Sequence, residues 1–150
     1  MRRGSGGGLL RAVVDTNVYI SAFLYPQRPI FQIVECAALQ EYRLLISPAI
    51  LREVGKVMRE DLGWEEALRI RHLKTLVRAA EIITPQITID VITADPPDNR
   101  ILECAVEGRA DLIVSGDPDL QRLKVYQRIP IVRPADFLRT LGISIKKERR

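Results

Sequence analysis

Four acidic residues, Asp15, Glu53, Asp98 and Asp117, are far apart along this chain but occupy places from which they could reach one common site. Asp15 and Asp117 each follow a short β-branched run typical of a buried strand, and a helical pattern begins just after each of them. Ligands of open parallel sheets bind beyond the carboxyl ends of the strands. Because clustered carboxylates repel one another without a cation, and hard ions such as Mg²⁺ or Mn²⁺ accept oxygen-only ligands, the sequence predicts a divalent-metal site.

Glu53 lies in a helix that we predict over residues 48 to about 59. It sits at the edge of the apolar stripe of that helix, which consists of Ile50, Leu51, Val54, Val57 and Met58. From this helix alone, a surface ion pair with Arg52 or Lys56 explains Glu53 as well as a place in the site does.

The other three acids also have structural explanations. Asp15 and Asp117 could cap the helices that follow them, and Asp98 could stabilise the free N–H groups in the first turn of its helix. Asp95 offers another carboxylate before Asp98, and the two prolines between them would hold either residue in place. The sequence leaves open which of the two faces the site.

Strand-like segments alternate with helical periodicity along the chain, a pattern typical of right-handed βαβ units and a mostly parallel sheet. The predicted strands are Arg11–Val14, Arg43–Ile46, Ile82–Thr84, Asp111–Val114 and Ile129–Val132. Ser47-Pro48 and Asp117-Pro118 are start signals for helices, and Gly108 is a stop signal after the helix at 99–107.

Length and composition are those of one globular domain, with 150 residues, 47% hydrophobic and 28% charged. We expect a flexible leader at 1–8, the folded domain at 9–142 and a basic tail at 143–150. The net charge of +4 comes from the ends, because residues 1–10 carry +2 and residues 143–150 carry +3, which leaves −1 for the body. Two cysteines without partners at metal-ligand spacing fit a reducing cytoplasm. Without a run of about 18 apolar residues, we expect no membrane association.

Five ordered segments resemble the PIN-domain family, and the closest likeness is to its bacterial and archaeal toxins of toxin–antitoxin modules, the VapC-like ribonucleases. The segments are Val-Val-Asp-Thr-Asn-Val at 13–18, Ser-Pro-Ala-Ile-Leu-Arg-Glu-Val at 47–54, Asp-Asn-Arg-Ile-Leu-Glu-Cys-Ala at 98–105, Ile-Val-Ser-Gly-Asp-Pro-Asp-Leu at 113–120 and Pro-Ala-Asp-Phe-Leu at 134–138. The resemblance covers about residues 11–141. It implies an α/β fold, a three-layer α/β/α sandwich with a five-stranded, mostly parallel sheet in the order 3-2-1-4-5.

The resemblance also implies roles for single residues. Asp15, Glu53, Asp98 and Asp117 would form the acidic catalytic quartet, and Asp15, Asp98 and Asp117 would bind one or two Mg²⁺ or Mn²⁺ ions. Four further polar residues would support them, namely Thr16, Asn17, Ser115 and Asp119. Metal-assisted hydrolysis of RNA would leave a 5′-phosphate and a 3′-hydroxyl. The chain departs from the family pattern at Pro97, where relatives often carry an additional acid, and this puts a second metal in doubt.

The predicted helix from Trp64 to Ala80 carries a basic ridge that could contact RNA phosphates, formed by Arg71, Lys74 and Arg78. A solvated helix face is the commoner explanation of such a pattern. The ridge runs beside a predicted apolar stripe of Ile70, Leu73, Val77 and Ala80. With only 5% aromatic residues, base stacking would contribute little to recognition.

RNA is the expected substrate, and the expected partners are a small antitoxin protein and a second copy of the chain in a homodimer. Two other functions stay open at this point. One is a PIN fold that binds RNA without cleaving it. The other is an α/β phosphoacceptor or phosphatase domain with Asp15 as nucleophile, which is less favoured because such domains place a second acid beside the first or two residues later, and position 17 is Asn.

Overall fold

A computed structural model describes residues 8–143 of the chain. Of the predicted leader and the predicted basic tail, only Gly8 and Ile143 are among the described residues, so both assignments stay predictions. Six strands are present in the described part: β1 (Arg11–Val14), β2 (Arg43–Ile46), β3 (Ala80–Ile82), β4 (Leu112–Val114), β5 (Val125–Tyr126) and β6 (Ile129–Val132).

Helices fill the connections between the strands. They are α1 (Thr16–Leu24), α2 (Gln32–Ala38), α3 (Pro48–Lys56), α4 (Glu66–Ala79), α5 (Asp98–Glu107), α6 (Pro118–Gln121) and α7 (Pro134–Thr140). A 3₁₀ turn at Pro29–Phe31 precedes α2, and a π-helical turn at Val57–Asp61 continues α3. Within residues 8–143, no helix combines the length and the hydrophobicity needed to cross a membrane.

The sheet order is β3-β2-β1-β4-β6-β5, and every neighbouring pair is parallel except the antiparallel pair β5–β6. This confirms the α/β fold and the predicted order of the five parallel strands. The predicted count of five strands was wrong by one, because β5 adds a two-residue strand at the edge. The order reverses at β1, which lies between β2 and β4, so the switch point falls between β1 and β4.

The central strands are buried on both faces. Successive residues of a strand point to opposite faces, yet Ala12, Val13 and Val14 of β1 are all fully buried. The same holds for Leu44, Leu45 and Ile46 of β2. Continuous apolar runs of this kind require helices on both sides of the sheet. The core therefore holds β1 and its neighbours in place, and this fixes where the loops at their carboxyl ends begin.

Two details in the region of α4 and β3 differ from the prediction. Strand β3 begins at Ala80, two residues earlier than predicted, because Ala80 pairs with Leu44 of β2. On α4, Ile70 and Val77 of the predicted apolar stripe are 43% and 46% exposed. The helix instead buries Leu76 and Ala79.

Gly108 ends α5, but not through a left-handed conformation. Its φ is −82°, and the left-handed residue is the next one, Arg109, with a φ of 54°. What the position requires is the missing Cβ, which would lie 2.8 Å from the Cys104 carbonyl oxygen and 3.0 Å from Leu45 Cδ1. The Gly108 carbonyl also accepts a hydrogen bond from Arg11 Nη2 at 2.8 Å, so the helix end is fixed from two sides.

We expect Gly108→Ala to destabilise the fold by about 1–3 kcal/mol, the usual cost of overpacking, because backbone and core atoms must shift. Gly55→Ala is the matched control, since Gly55 lies inside α3 and its added Cβ would meet only Leu73 Cδ1 at 3.5 Å. That variant should be as stable as the wild type or gain up to about 1 kcal/mol from helix propensity. Urea unfolding of both variants measures the difference, and equal stabilities would contradict the close approach at Gly108.

Candidate metal centre

The site forms where β1 and β4 end side by side, and Ser115 joins the two loops. Asp15 follows β1 directly, and its N–H donates to the Val114 carbonyl oxygen at 2.9 Å. The Ser115 hydroxyl donates to Asp15 Oδ2 at 2.7 Å and accepts from the N–H of Asp117 at 3.0 Å. Ser115 is fully buried. One hydroxyl group therefore fixes the orientation of Asp15 and the start of the chain segment that carries Asp117.

Asp117 also caps α6, as its N-cap position predicts. Its Oδ2 accepts from the N–H of Leu120 at 3.3 Å, and Pro118 occupies the first helical position. Asp15 stands at the N-cap of α1 but makes no side-chain capping bond there. A capping bond from Leu120 therefore contributes to the position of Asp117, whereas the Asp15 carboxylate is held by the Ser115 hydroxyl.

Asp98 reaches the same place from the start of α5. It is only 6% exposed, and one of its carboxylate oxygens lies within 4.8 Å of a carboxylate oxygen of Asp117. The Oδ2 atom of Asp98 is buried and has no hydrogen-bond partner in the described part of the chain. A buried acceptor without a partner is costly, so at this oxygen the folded chain leaves a polar group unsatisfied.

Four carboxylates meet around Asp98. Asp95, Asp98, Asp117 and Asp119 each offer one oxygen, and these oxygens lie within 4.8 Å of one another. Asp95 is the least buried of the four. Asp95 and Asp98, between which the sequence did not decide, both belong to the group. Asp15 is not one of the four. Its charge nevertheless raises the pKa of Asp98, and the charge of Asp117 raises the pKa of Asp15.

The protonation equilibria show the strain of this arrangement. Burial, the hydrogen bond with Asp117 and the charges of Asp117, Asp15 and Asp95 raise the pKa of Asp98 from 3.8 to about 9. Burial, followed by the charge of Asp117, raises the pKa of Asp15, although the Ser115 hydroxyl and nearby backbone N–H groups act in the opposite direction. Burial and the charges of Asp117 and Asp119 raise the pKa of Asp95.

The remaining predicted residues line the cavity beside this group. Thr16 is buried, Asn17 is exposed and Glu53 is half-buried, and all three face the same cavity as Asp15, Asp95 and Asp98. Within residues 8–143, Glu53 forms no ion pair, so the surface pair with Arg52 or Lys56 is absent there. Asp119 does pair with Arg122. The catalytic, ligating and supporting roles of these residues remain predictions.

The donor set fits a hard divalent cation. All the convergent groups are carboxylates, which are the ligands that Mg²⁺ and Mn²⁺ prefer, and their raised pKa values show a local excess of negative charge. The unpartnered Asp98 Oδ2 gives such an ion a contact that the folded chain does not satisfy by itself. Asp98, Asp117, Asp95 and Asp119 are the residues placed to hold it, with Asp15 adjacent.

Sequence reasoning missed Asn99, which positions the acids. Asn99 is 1% exposed, and its Oδ1 accepts from the N–H groups of Val91 and Ile92 at 3.0 and 2.9 Å. Its Nδ2 donates to the carbonyl oxygens of Ile92 and Pro96 at 2.8 and 3.0 Å. One side chain therefore fixes the irregular segment that leads to Asp95 and α5. The sequence did carry one signal for this role: Asn99 stands next to Asp98, beside a segment without regular structure whose backbone groups need hydrogen-bond partners.

Arg100 was also given no role from the sequence. Among the described residues that line the acidic cavity, it is the one cation. Its Nη2 donates to the Ile89 carbonyl oxygen at 3.0 Å and pairs with Glu103 at 2.9 Å, whereas its Nε is buried without a partner. The cavity thus has an acidic wall and a guanidinium at its rim.

The predicted basic ridge lies elsewhere on the surface. Arg71, Lys74 and Arg78 are exposed on α4, and none of them belongs to the described lining of the acidic cavity. Their contact with RNA stays a prediction.

Comparison with known proteins places the chain among proteins of one family. Residues 11–119 match the PIN domain family. The uncharacterized protein MJ1680 of Methanocaldococcus jannaschii is 31% identical over 120 residues, which cover 77% of this chain and 76% of MJ1680.

Solved structures share the fold at lower sequence identity. VapBC2 from Rickettsia felis, bound to a DNA fragment from its promoter, aligns with a TM-score of 0.61 and 14% identity over 83% of this chain and 98% of that chain. PAE2754 from Pyrobaculum aerophilum aligns with a TM-score of 0.61 and 16% identity over 89% of this chain and 90% of that chain. The PIN domain endonuclease Utp24 aligns with a TM-score of 0.51 and 18% identity over 82% of this chain and 84% of that chain. These likenesses concern the fold.

The raised pKa of Asp98 predicts how stability depends on pH in metal-free protein. Between about pH 4 and pH 9 the unfolded chain has lost this proton and the folded chain keeps it, so the free energy of unfolding should fall as pH rises, by at most about 1.4 kcal/mol per pH unit. Asp98→Asn should remove this slope and unfold at higher urea concentration near pH 8. Asp136→Asn, at an exposed position on α7, should keep it. Urea melts in EDTA at several pH values measure the slopes. Parallel slopes for all three proteins would contradict the raised pKa of Asp98.

Proposed function

This chain belongs to the PIN domain family, and from that premise we propose that it is a divalent-metal-dependent ribonuclease and the toxin component of a toxin–antitoxin module. Family membership supports a nuclease. The observation that carries the metal dependence is the buried, unpartnered Asp98 Oδ2 inside a group of four carboxylates. It lies at the carboxyl ends of β1 and β4, where the strand order reverses.

In the proposed mechanism the chain supplies a pre-oriented set of carboxylates. Ser115 holds Asp15 in one orientation through its 2.7 Å hydrogen bond, and Asp98 and Asp117 face each other across the site. Bound Mg²⁺ or Mn²⁺ would supply Lewis acidity, which activates water and offsets negative charge on the phosphodiester. Because the pKa of Asp98 is raised to about 9, Asp98 would have to lose its proton for both carboxylates to act as ligands.

Glu53 and Arg100 face the cavity from outside the group of four carboxylates. We assign Glu53 the task of accepting a hydrogen bond from the attacking water, because its carboxylate has no ion-pair partner among residues 8–143. Arg100 is placed to attract the phosphate to the cavity rim, because it is the one cation among the described residues that line the cavity. Both side chains line the cavity already, so neither task requires the buried core to rearrange.

RNA is the substrate class that the family resemblance favours, and we extend the proposal to the partners. VapBC2, whose fold this chain shares, is bound to a DNA fragment from its promoter. From the resemblance to toxins of toxin–antitoxin modules, we propose a small antitoxin protein as partner here. We further propose a homodimer and action in the cytoplasm.

Cleavage of a mixed RNA pool tests the proposed activity. We expect Mn²⁺-dependent cleavage by the wild type, no cleavage of a DNA pool, and losses of about 10²-fold or more in Asp15→Asn, Asp98→Asn and Asp117→Asn, the scale of losing a major electrostatic stabiliser. Asn keeps the size of each side chain and retains a helix cap. Gel analysis of the products at fixed enzyme concentration gives the rates. Tight RNA binding without cleavage would instead identify a binding module.

Metal binding can be measured without substrate. Because Mn²⁺ at about 100 times its dissociation constant stabilises the native state by about 2.7 kcal/mol, the wild type should melt several degrees higher with metal than in EDTA. Asp117→Asn should lose most of that shift and, freed from carboxylate repulsion, melt higher than the wild type in EDTA. The same Mn²⁺-induced shift in both proteins would remove Asp117 from the metal centre.

The toxin assignment has its own experiment. Controlled expression of the wild-type chain should slow bacterial growth and degrade cellular RNA, whereas Asp15→Asn, expressed at the same level, should do neither. Growth at equal rates with both proteins would leave the nuclease proposal intact and overturn the toxin role.

A further inference from the structure

A chain of surface depressions leads away from the carboxylate cavity along α3. The acidic cavity shares Ala49 and Arg100 with a second depression, which is also lined by Ser47 and Thr84. That depression shares Arg52 with a third, which lies between α3, the π-helical turn and α4. Because they share lining residues, the three depressions are neighbours along α3, and together we call them the track.

The track is cationic beyond the acidic cavity. Its described lining contributes five cationic side chains against two carboxylates: Arg52, Lys56, Arg59, Arg69 and Arg100 against Glu66 and Glu103. The body of the chain as a whole is close to neutral, so this concentration of positive charge is local. Clefts lined by one sign of charge attract ligands of the opposite sign.

Much of this charge is not compensated within the protein. Arg59 pairs with Glu60 and Arg100 with Glu103, but Arg52, Lys56 and Arg69 form no ion pair with any residue between 8 and 143. Arg69 Nε and Arg100 Nε are buried without hydrogen-bond partners. Arg52 and Lys56 are exposed and one helical turn apart, which places their Cβ atoms about 5–6 Å from each other.

We propose that this track, centred on Arg52 and Lys56, binds the backbone phosphates of single-stranded RNA next to the scissile bond. The inference rests on the proposed nuclease function and adds a binding surface to it. Because Ala49 and Arg100 line both the acidic cavity and the neighbouring depression, we assign the track to the same polymer that enters that cavity. The described lining of the three depressions contains no aromatic residue, so bases do not stack there and the track does not select sequence.

The charges of the track can be removed and compared with an equal loss of charge elsewhere. The test variant is Arg52→Gln with Lys56→Gln. The control variant is Lys124→Gln with Arg128→Gln, because both residues are exposed and lie beside β5 at the sheet edge opposite β3. Both variants change net charge by the same amount. Thermal melts check that each variant remains folded.

Binding of a fluorescein-labelled 15-nucleotide RNA, measured by anisotropy at several salt concentrations in EDTA, tests the proposal. The track variant should bind roughly tenfold more weakly than the wild type, and its salt dependence should be lower by about 1.4 in slope, since each single-strand phosphate contact contributes about 0.7. RNAs of different sequence should lose affinity equally. The control variant should bind as the wild type does.

Three results would overturn the track. They are unchanged affinity in the track variant, an equal loss in the control variant, and a loss confined to Arg71→Gln with Lys74→Gln, which would place the RNA on α4. The first result is also the one expected if an acidic protein segment, rather than RNA, occupies the track. Because this assay measures binding without metal, its outcome is independent of cleavage, and a wild type that binds through the track without cleaving would contradict only the proposed function.

Discussion

Electrostatic repulsion among carboxylates is the constraint around which this molecule is built. Two negative charges about 4–6 Å apart repel by a few kcal/mol at an effective dielectric near 20, and the four grouped carboxylates lie within that range. The folded core must exceed this cost. Fully buried runs on β1 and β2 place apolar contacts directly beneath the site. The raised pKa of Asp98 favours its neutral form, which relieves part of the repulsion.

The acids reach the site by two different physical means. Asp15 and Asp117 are delivered by parallel strands, so their approach is fixed by the sheet and by the Ser115 hydroxyl between them. Asp95 and Asp98 come from an irregular segment that has no sheet to support it. There, the four hydrogen bonds of Asn99 take the place of a strand ladder. A buried polar network of this kind tolerates little change, because each lost partner leaves a costly unsatisfied group.

The parts of the fold that were predictable are those with strong local signals. The runs at β1, β2 and β6 are continuous and apolar, and their predicted bounds match the structure. Strand β5 was missed because it has two residues, and its turn to β6 uses Gln127 and Arg128 at φ values of 47° and 70° instead of Gly or Asn. The rotation of α4 was mistaken because His72 stacks on Phe23 at 4.1 Å, a long-range contact that no helical period encodes. The ends of β1 and β4 bring Asp15 and Asp117 near each other, as the strand pattern predicts. Asp95 and Asp98 come from the segment before α5, where the contacts of Asn99 and Arg100 depend on a fold of the loop back onto the helix that residue spacing does not reveal.

The small hairpin has a consequence for how the molecule behaves in a crowded solution. An exposed strand edge is a template on which a second chain can add a strand. Here β6 is covered by β5, and the residues flanking β5 at Lys124, Gln127 and Arg128 all have positive φ, which bends the backbone out of the extended form that pairing requires. Their side chains are exposed, and two of them are charged. Growth of the sheet into an intermolecular β-structure is therefore blocked on this side by backbone conformation as well as by charge.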